Sequence, residues 1–282
     1  MCIATITFGH PQYEVIIASN RDEWFDRPTS ELAWWDDQTT LGGRDLSAGG
    51  TWLAVNRRGR FGMVTNVRGV EAKHSTNTGT NSSIDSSINN RSRGELIPLW
   101  LNHHGDSISF FAQLLVSADH YAGFNFVFGE VMNDPNRSSR TYYFSNAALQ
   151  VCHQLWPIDA AQCNDSAQTT YGLSNAQLDT PWPKVEKLKN LSRASLDAIP
   201  TGSAENLSND LFKNLLDTEQ FGGTALSAIN VRANNFLHSG RNYGRRSSAV
   251  LLMTKNGEVF FSEQNPGHLG DDHHAINFKT IF

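Results

Sequence analysis

Two β-rich segments at the beginning of the chain are separated by a short turn, which predicts an antiparallel hairpin. Residues 2–8 and 13–19 are rich in β-branched and apolar residues, whereas the intervening Gly-His-Pro-Gln sequence is typical of a turn. With this turn at its centre, paired residues have numbers that sum to about 21, with a slip of one or two allowed. The register places Cys2 opposite Ser19 or Asn20 at one end of the sheet.

The hairpin brings a possible nucleophile next to charged residues. Removal of Met1 would make Cys2 the N-terminal residue, which would then carry both a thiol and an α-amine with an unperturbed pKa of about 8. Such an amine can accept the thiol proton near neutral pH. Arg21 next to the thiol would favour the thiolate, and the Asp22 carboxylate would orient the amine.

Ordinary structural roles are the alternative for these residues. A cysteine near the start of a strand is commonly a small buried apolar residue, and a polar run after a strand commonly forms a solvated turn. Neighbouring side chains of a strand point to opposite faces. Arg21 and Asp22 can therefore both face the Cys2 thiol only if the strand has ended by Arg21.

The composition restricts the class of protein. The chain has 282 residues, of which 39% are hydrophobic and 18% charged, so it can bury a substantial core and is not disordered as a whole. A formal charge of −5 argues against a general nucleic-acid partner, which requires a basic face. No segment reaches the roughly 18–20 apolar residues of a membrane span, and no signal peptide is apparent. Because the three cysteines are odd in number, we expect reduced thiols and a cytoplasmic location.

Strand patterns dominate both ends of the chain, and pairs of helical patterns lie between them. This arrangement predicts one α+β domain over residues 1–282, with two sheets packed face to face and helix layers outside. A Ser/Thr/Asn-rich stretch at about residues 74–92 is predicted to be a flexible polar loop. The segment Asp271-Asp272-His273-His274 is expected to be a solvated tail rather than a metal site.

Short motifs that occur in order along nearly the whole chain carry a family resemblance. They are Met1-Cys2, Asn20-Arg21-Asp22-Glu23, Gly42-Gly43-Arg44-Asp45, Gly49-Gly50-Thr51-Trp52-Leu53, Thr65-Asn66-Val67-Arg68, Ser92-Arg93-Gly94, Tyr121-Ala122-Gly123-Phe124-Asn125, Leu173-Ser174-Asn175, Leu178-Asp179-Thr180-Pro181-Trp182-Pro183-Lys184-Val185 and Tyr243-Gly244-Arg245-Arg246-Ser247-Ser248. Together these motifs resemble the NRDE family, also called the transport-and-Golgi-organisation family.

The resemblance implies a fold and several functions. The implied fold is that of the N-terminal-nucleophile hydrolases, a four-layer αββα sandwich, which agrees with the layering expected above. Cysteine members of that superfamily cleave non-peptide amide bonds. They place an arginine and, a few positions later, an aspartate on the second strand, whereas Arg21 and Asp22 are adjacent here. The NRDE family itself is linked to haem trafficking and to lipid and acyl-CoA homeostasis.

The residues alone favour an amide or thioester hydrolase. In this hypothesis Cys2 attacks the carbonyl carbon, Asn66 or Asn175 donates to the oxyanion, and Arg21 or Arg246 binds a substrate carboxylate or lowers the thiol pKa. The candidate catalytic residues are Cys2, Arg21, Asp22, Asn66, Asn175 and Arg246. No catalytic metal is expected.

The family resemblance favours haem carriage, which we place first, with hydrolysis as the alternative and lipid or acyl-CoA handling as a further one. The partner is then haem, or another small amphipathic ligand, as cargo, and delivery proteins remain undefined. Haem would need arginines for its propionates, an axial ligand from Cys2 or one of the ten histidines, and an aromatic slot. Candidates for the slot are Trp34, Trp35, Trp52, Phe61 and Met63. The candidate cofactor-binding residues are Cys2, Asn20, Arg21, Trp52 and Arg245.

Overall fold

Two antiparallel sheets form the centre of the computed structural model, which describes residues 2–70, 91–132, 138–147, 152–156, 168–199, 201–233, 240–266 and 271–281. The strands are β1 (Cys2–Phe8), β2 (Tyr13–Trp24), β3 (Thr29–Trp34), β4 (Thr40–Asp45), β5 (Leu53–Asn56), β6 (Arg60–Asn66), β7 (Phe124–Glu130), β8 (Arg140–Ser145), β9 (His153–Trp156), β10 (Thr169–Leu173), β11 (Tyr243–Thr254), β12 (Glu258–Pro266) and β13 (Asp271–Lys279). The first sheet has the order β10-β1-β2-β11-β12-β13, and the second runs from β3 to β9 in chain order.

The two sheets pack face to face over an apolar layer. In β1, Ala4, Ile6 and Phe8 face the second sheet, whereas Ile3 belongs to the apolar cluster on the outer face of the first sheet. This alternation follows from the two-residue period of a strand. Phe61 and Val127 of the second sheet contribute to the same central layer and are fully buried.

Helices cover the outer face of each sheet. The helices are α1 (Leu96–Leu101), α2 (Ser107–Ser117), α3 (Pro183–Ala198) and α4 (Ala204–Leu215). Trp100 and Phe110 of α1 and α2 pack on the second sheet, and Leu188 and Leu211 of α3 and α4 pack on the first. The four-layer αββα sandwich is therefore confirmed.

Local sequence signals explain where the helices begin. The Asp106 carboxylate accepts a hydrogen bond from the backbone N–H of Ser109 at 2.8 Å and so caps the start of α2. Ser203 caps α4 by accepting from the N–H of Asn206 at 3.2 Å. Pro183 occupies the first turn of α3, where its missing N–H costs no helical hydrogen bond.

The first hairpin forms, and its register lies within the slip of two residues that was allowed, although the partner of Cys2 differs from the two expected residues. Cys2 pairs with Arg21, not with Ser19 or Asn20. The centre of the hairpin lies between Pro11 and Gln12, and Gly9 adopts a φ of 73° in the turn. Because directly paired residues point to the same side of a sheet, Cys2 and Arg21 share a face.

Two expectations about less regular segments have different outcomes. The polar loop expected at about residues 74–92 falls on residues outside the described ranges, except for residues 91 and 92. The expected C-terminal tail is instead an edge strand, because β13 pairs with β12 from Asp271 to Lys279. Among the described residues, the helices lack the length and apolar character needed to cross a membrane.

Candidate active site

A cleft of about 360 Å³ opens between the two sheets at the end where β1 begins. Cys2 lies in this cleft and is half-buried. The other lining residues are Arg21, Asp22, Glu23, Trp24, Arg27, Asp45, Thr51, Trp52, Val64, Asn66, Ser92, Arg93, Gly94 and Tyr243. We call this space the Cys2 cleft.

The backbone of Cys2 is held on both sides by the loop that follows β10. The backbone nitrogen of Cys2 donates to Oδ1 of Asn175 at 3.2 Å, and Ser174 Oγ donates to the Cys2 carbonyl oxygen at 2.7 Å. The Asn175 Nδ2 group donates in turn to the backbone carbonyl of Asn66 at 3.1 Å. Asn175, which is buried, therefore fixes the nitrogen that becomes the α-amine once Met1 is removed.

Arg21 lies beside Cys2 in the space between the sheets. Its guanidinium carbon is 4.2 Å from the centre of the Trp52 ring, a cation–π contact that also holds the ring in place. Arg21 Nη1 donates to Thr29 Oγ1 at 3.2 Å, and Nη2 lies 3.8 Å from the Glu23 carboxylate. Burial lowers the pKa of Arg21, and Glu23 opposes that shift. The Arg21 guanidinium is thus the positive charge that the sequence predicts next to the thiol.

Trp52 fits at this position because the neighbouring strand provides space. A Cβ atom on Gly43 would lie 2.5 Å from the Trp52 ring, so a larger residue at position 43 would displace the indole. Trp52 is nearly buried but lines the Cys2 cleft with one edge. The other aromatic residues that line the cleft are Trp24 and Tyr243.

Asp22 points away from Arg21, toward the helix layer. β2 continues to Trp24, so adjacent side chains alternate between its two faces. Burial raises the pKa of Asp22 to about 7, while the charges of the N-terminus, Lys184 and Arg245 act in the opposite direction. Asp22 therefore lies on the face of β2 opposite to Arg21, and its pKa is lowered by the positive charge of the N-terminus.

The thiol responds to both neighbours although they lie on opposite faces, because Cys2 is the first residue of its strand. Burial raises the pKa of the Cys2 thiol. The positive charge at the N-terminus and the Arg21 guanidinium lower it, and the Asp22 carboxylate raises it. Removing water from the thiol therefore outweighs the cations, and the thiol needs a base to lose its proton.

Lys184 is a buried cation behind the Cys2 cleft whose charge interacts with that of Asp22, and the sequence does not predict its burial. It lies in the first turn of α3 with only 3% of its surface exposed, and its Nζ donates to the carbonyl of Leu226 at 3.1 Å. Burial lowers its pKa, and the charges of Asp22 and Cys2 raise it. The Pro-Trp-Pro sequence before Lys184 predicted the start of a helix, but burial of a lysine depends on tertiary packing.

Ion pairs organise the rim of the Cys2 cleft. Arg27 forms a bidentate contact with Asp45, with an Nη2–Oδ2 distance of 2.6 Å, and its Nε lies 3.9 Å from Glu23. Arg93 Nη1 donates to the carbonyl of Gly123 at 3.0 Å. The cleft is therefore polar, with three arginines and three carboxylates among its lining residues.

Besides Asn175, three of the expected site residues do not line the cleft. Asn20 is buried on the helix side, and Arg245 Nη1 donates to Ser248 Oγ at 3.1 Å behind Asp22. The Arg246 guanidinium lies 5.9 Å from the Phe25 ring at an irregularity in the pairing of β11 with β2. Direct contact of these three residues with a ligand in the cleft is therefore not supported.

The haem slot expected from five apolar residues is not formed. Phe61 and Met63 are buried in the central apolar layer, since β6 lies in the middle of its sheet. Trp34 contacts the Phe278 ring, and Trp35 Nε1 donates to the carbonyl of Gly42 at 2.9 Å. Of the five residues, Trp52 alone lines the Cys2 cleft.

The Asn20 side chain connects β2 to neighbouring segments through buried hydrogen bonds, and this role leads to a testable prediction. Its Nδ2 donates to the carbonyls of Leu215 and Ile229 at 2.8 and 3.0 Å, and its Oδ1 accepts from Ser248 Oγ at 2.7 Å. Asn20→Ala leaves these buried groups without partners, so we expect the free energy of unfolding to fall by about 2–3 kcal/mol in urea titrations. Asn190→Ala, on the exposed side of α3, is the control and should change it by less than about 0.5 kcal/mol. Equal stability of the two variants would contradict the role given to these bonds.

Sequence and structure comparisons place the chain among known proteins. The family model described as Transport and Golgi organisation 2 matches residues 1–267. The chain is 29% identical to the Transport and Golgi organization 2 homolog of Mus musculus over 289 residues, covering 94% of this chain and 93% of that protein. It is 27% identical to Transport and Golgi organization protein 2 of Drosophila melanogaster, covering 89% and 86% respectively.

Solved structures with a similar course of the chain have little sequence in common with it. The C2A mutant of conjugated bile acid hydrolase from Clostridium perfringens is 8% identical, with 99% of this chain and 92% of that chain covered and a TM-score of 0.47. The Caenorhabditis elegans ortholog of N-acylethanolamine-hydrolyzing acid amidase is 9% identical, with coverages of 90% and 93% and a TM-score of 0.43. Likeness at this level carries no argument about activity. On the match of the family model over most of its length, the chain belongs to the Transport and Golgi organisation 2 family.

Proposed function

We propose that the chain is an N-terminal-cysteine hydrolase that cleaves a non-peptide amide bond. The observation that carries this proposal is the hydrogen bond of 3.2 Å between the Cys2 nitrogen and Asn175 Oδ1, at the base of a cleft that also contains the Cys2 thiol. A nitrogen held in this way needs only the removal of Met1 to become a positioned base. Arg21 and Asp22 then act on the thiol and the amine from opposite sides.

The reaction follows from these positions. The Cys2 amine accepts the thiol proton, and the sulfur attacks the amide carbon to form an S–C bond and a tetrahedral oxyanion. The amine returns the proton to the leaving nitrogen, the C–N bond breaks, and a thioester remains on Cys2. Water, deprotonated by the same amine, then hydrolyses the thioester to release a carboxylic acid and restore the thiol. Asn175 holds the amine throughout, and Asp22 orients it.

Asn66 is the better placed candidate for stabilising the oxyanion. Its side chain is exposed at the end of β6 and lines the Cys2 cleft, whereas Asn175 Nδ2 already donates to the Asn66 carbonyl. A donor to an oxyanion contributes about 3–4 kcal/mol to the transition state where such groups have been removed. We therefore assign this role to Asn66 and the positioning of the amine to Asn175.

The proposal is tested by direct detection of the acyl-enzyme. Untagged protein is mixed with N-acyl anilides of increasing chain length, and with an acyl-CoA thioester to cover lipid or acyl-CoA handling. We expect release of aniline together with a mass increase on the peptide that contains Cys2. Release of aniline without such an adduct, at the same rate in a Cys2→Ala variant, would contradict the assignment of the nucleophile. A thiol nucleophile must stay reduced, which fits the cytoplasmic location that we propose.

Haem carriage at the same cleft is the second candidate function. The Trp52 ring, the Arg21 cation stacked on it and the Cys2 thiol provide one aromatic surface, one propionate partner and one axial ligand. The rim of the cleft is polar, and among the described residues the five expected slot residues do not come together. The cleft therefore offers less apolar contact than a tight haem site needs.

Titration of the protein with haemin tests this second candidate function. A saturable shift of the Soret band at about one equivalent should occur, and Trp52→Leu should weaken it by roughly tenfold through loss of the aromatic surface. Trp35→Leu, which removes an indole away from the Cys2 cleft, is the matched control and should bind as the wild type does. A linear rise equal in the three proteins would contradict haem binding at this cleft.

A further inference from the structure

A second cavity of about 320 Å³ lies on the far side of Asn175 from the Cys2 cleft. The backbone N–H of Arg68 donates to the Asn175 carbonyl at 3.2 Å, while the Asn175 side chain serves Cys2 and Asn66. The principal lining residues of this second cavity are Arg68, Trp182, Pro183, Lys184, Phe221 and Leu226. The two cavities have no lining residue in common. We call the second one the Trp182 pocket.

The wall of the Trp182 pocket is a loop with internal hydrogen bonds. The backbone N–H of Phe221 donates to Ser227 Oγ at 2.8 Å, and the same hydroxyl donates to the carbonyl of Thr224 at 2.5 Å. Ser227 thus ties the two sides of the loop together and holds Phe221 and Leu226 against the pocket. The apolar wall is therefore held in place by hydrogen bonds within the loop itself.

The charged groups of the pocket are cationic, and its other polar side chains are the hydroxyls of Thr224 and Ser227. Lys184 Nζ lies 5.9 Å and the Arg68 guanidinium carbon 5.8 Å from the centre of the Trp182 ring. Among the described residues no acidic side chain lines the pocket. The pocket also lies at the N-terminal end of α3, where the helix dipole favours negative charge.

Lys184 has capacity for a further partner. An ammonium group has three N–H donors, and within the described part of the chain Lys184 donates one hydrogen bond, to Leu226. With 3% of its surface exposed, it has little access to water that could serve the other two. Burial lowers the pKa of Lys184, so a bound anion would compensate a charge that the protein solvates poorly.

From this combination we propose that the Trp182 pocket is a second binding site, for an apolar carboxylate. The ring or chain of the ligand packs on Trp182 and Phe221, and its carboxylate is bound by Arg68 and Lys184. Aromatic side chains provide the apolar contact, and an arginine–lysine pair provides the charge that neutral ligands would not use. This site requires neither the Cys2 thiol nor hydrolysis, so it stands independently of the proposed function.

Isothermal titration calorimetry with 2-naphthoate tests the site, with 2-naphthalenemethanol as the neutral ligand of the same ring. We expect saturable 1:1 binding of naphthoate and binding of the alcohol that is at least about tenfold weaker. Arg68→Gln should weaken naphthoate by roughly tenfold. Arg57→Gln is the matched control, since the Arg57 guanidinium lies 3.9 Å over the Trp34 ring elsewhere in the molecule, and it should bind as the wild type does.

Two further variants complete the test. Trp182→Leu should reduce naphthoate binding without the loss of a charge, and Cys2→Ala should leave it unchanged because Cys2 does not line the pocket. Equal binding of naphthoate and the alcohol would overturn the proposal, as would equal effects of Arg68→Gln and Arg57→Gln. Loss of binding in Cys2→Ala would place the ligand in the Cys2 cleft instead, and would also overturn it.

Discussion

Replacing Cys2 with alanine is expected to reduce amide hydrolysis by at least about 10⁴-fold, because removal of a covalent nucleophile leaves only the binding and polarisation of the carbonyl group. Alanine keeps a small residue after Met1, so removal of the methionine proceeds as before. The hydrogen bond from the nitrogen of residue 2 to Asn175 Oδ1 is also kept. The variant therefore separates the thiol from the rest of the site. Rates of aniline release from an N-acyl anilide measure the effect.

Cys152 provides the matched control for this experiment. It is also a half-buried free thiol, and burial raises its pKa to about 12. It lies before β9 at the edge of the second sheet and does not line the Cys2 cleft. Cys152→Ala should hydrolyse the anilide at the wild-type rate. Equal activity of the Cys2→Ala variant and the wild type would show that the thiol is structural.

Replacing Asp22 with asparagine is expected to change both activity and the pH dependence of stability. Burial raises the pKa of Asp22 from 3.8 to about 7. The folded protein therefore binds more protons than the unfolded chain between these values, and the stability that this carboxyl contributes at low pH is lost as the pH rises through about 7. The loss amounts to as much as about 4 kcal/mol, since each tenfold difference in acidity is worth about 1.4 kcal/mol.

Asp22→Asn removes this titration, so the variant should lose less stability than the wild type between about pH 5 and about pH 8 in urea titrations. Its hydrolytic rate should fall by roughly 100-fold, because the amine loses the carboxylate that orients it, and the pH profile of the rate should change shape. Asp36→Asn, at a fully exposed position, is the control and should keep the wild-type pH dependence. Identical stability profiles for Asp22→Asn and the wild type would contradict the buried position of Asp22.

The sequence was sufficient to predict the layers of the fold. The alternation of apolar residues in β1 and β2 predicts which side chains face the second sheet, and the spacing of Cys2 and Arg21 brings them to one end of the hairpin. The register itself depends on the conformation of the turn, in which Gly9 has a positive φ. That conformation is a local property which composition does not determine.

The parts of the site that could not be predicted depend on packing between distant segments. Lys184 is buried next to Asp22 because α3 packs across the first sheet, and lysine burial has no signal in the sequence. The Trp residues expected to line a haem slot are equally apolar in sequence, yet Trp52 lines the cleft while Trp34 contacts Phe278. Asn20 has a polar side chain that could bind a ligand, but its amide group connects β2 to the end of α4.

The central claim is that the nitrogen held by Asn175 becomes a free amine next to the Cys2 thiol. The intact mass of protein expressed without an N-terminal tag tests it directly. Our account predicts a mass lower than that of the full sequence by one methionine residue, so that Cys2 is the mature N-terminus. Full retention of Met1 in protein that hydrolyses the anilide would contradict the account, because the base would then have to come from another residue.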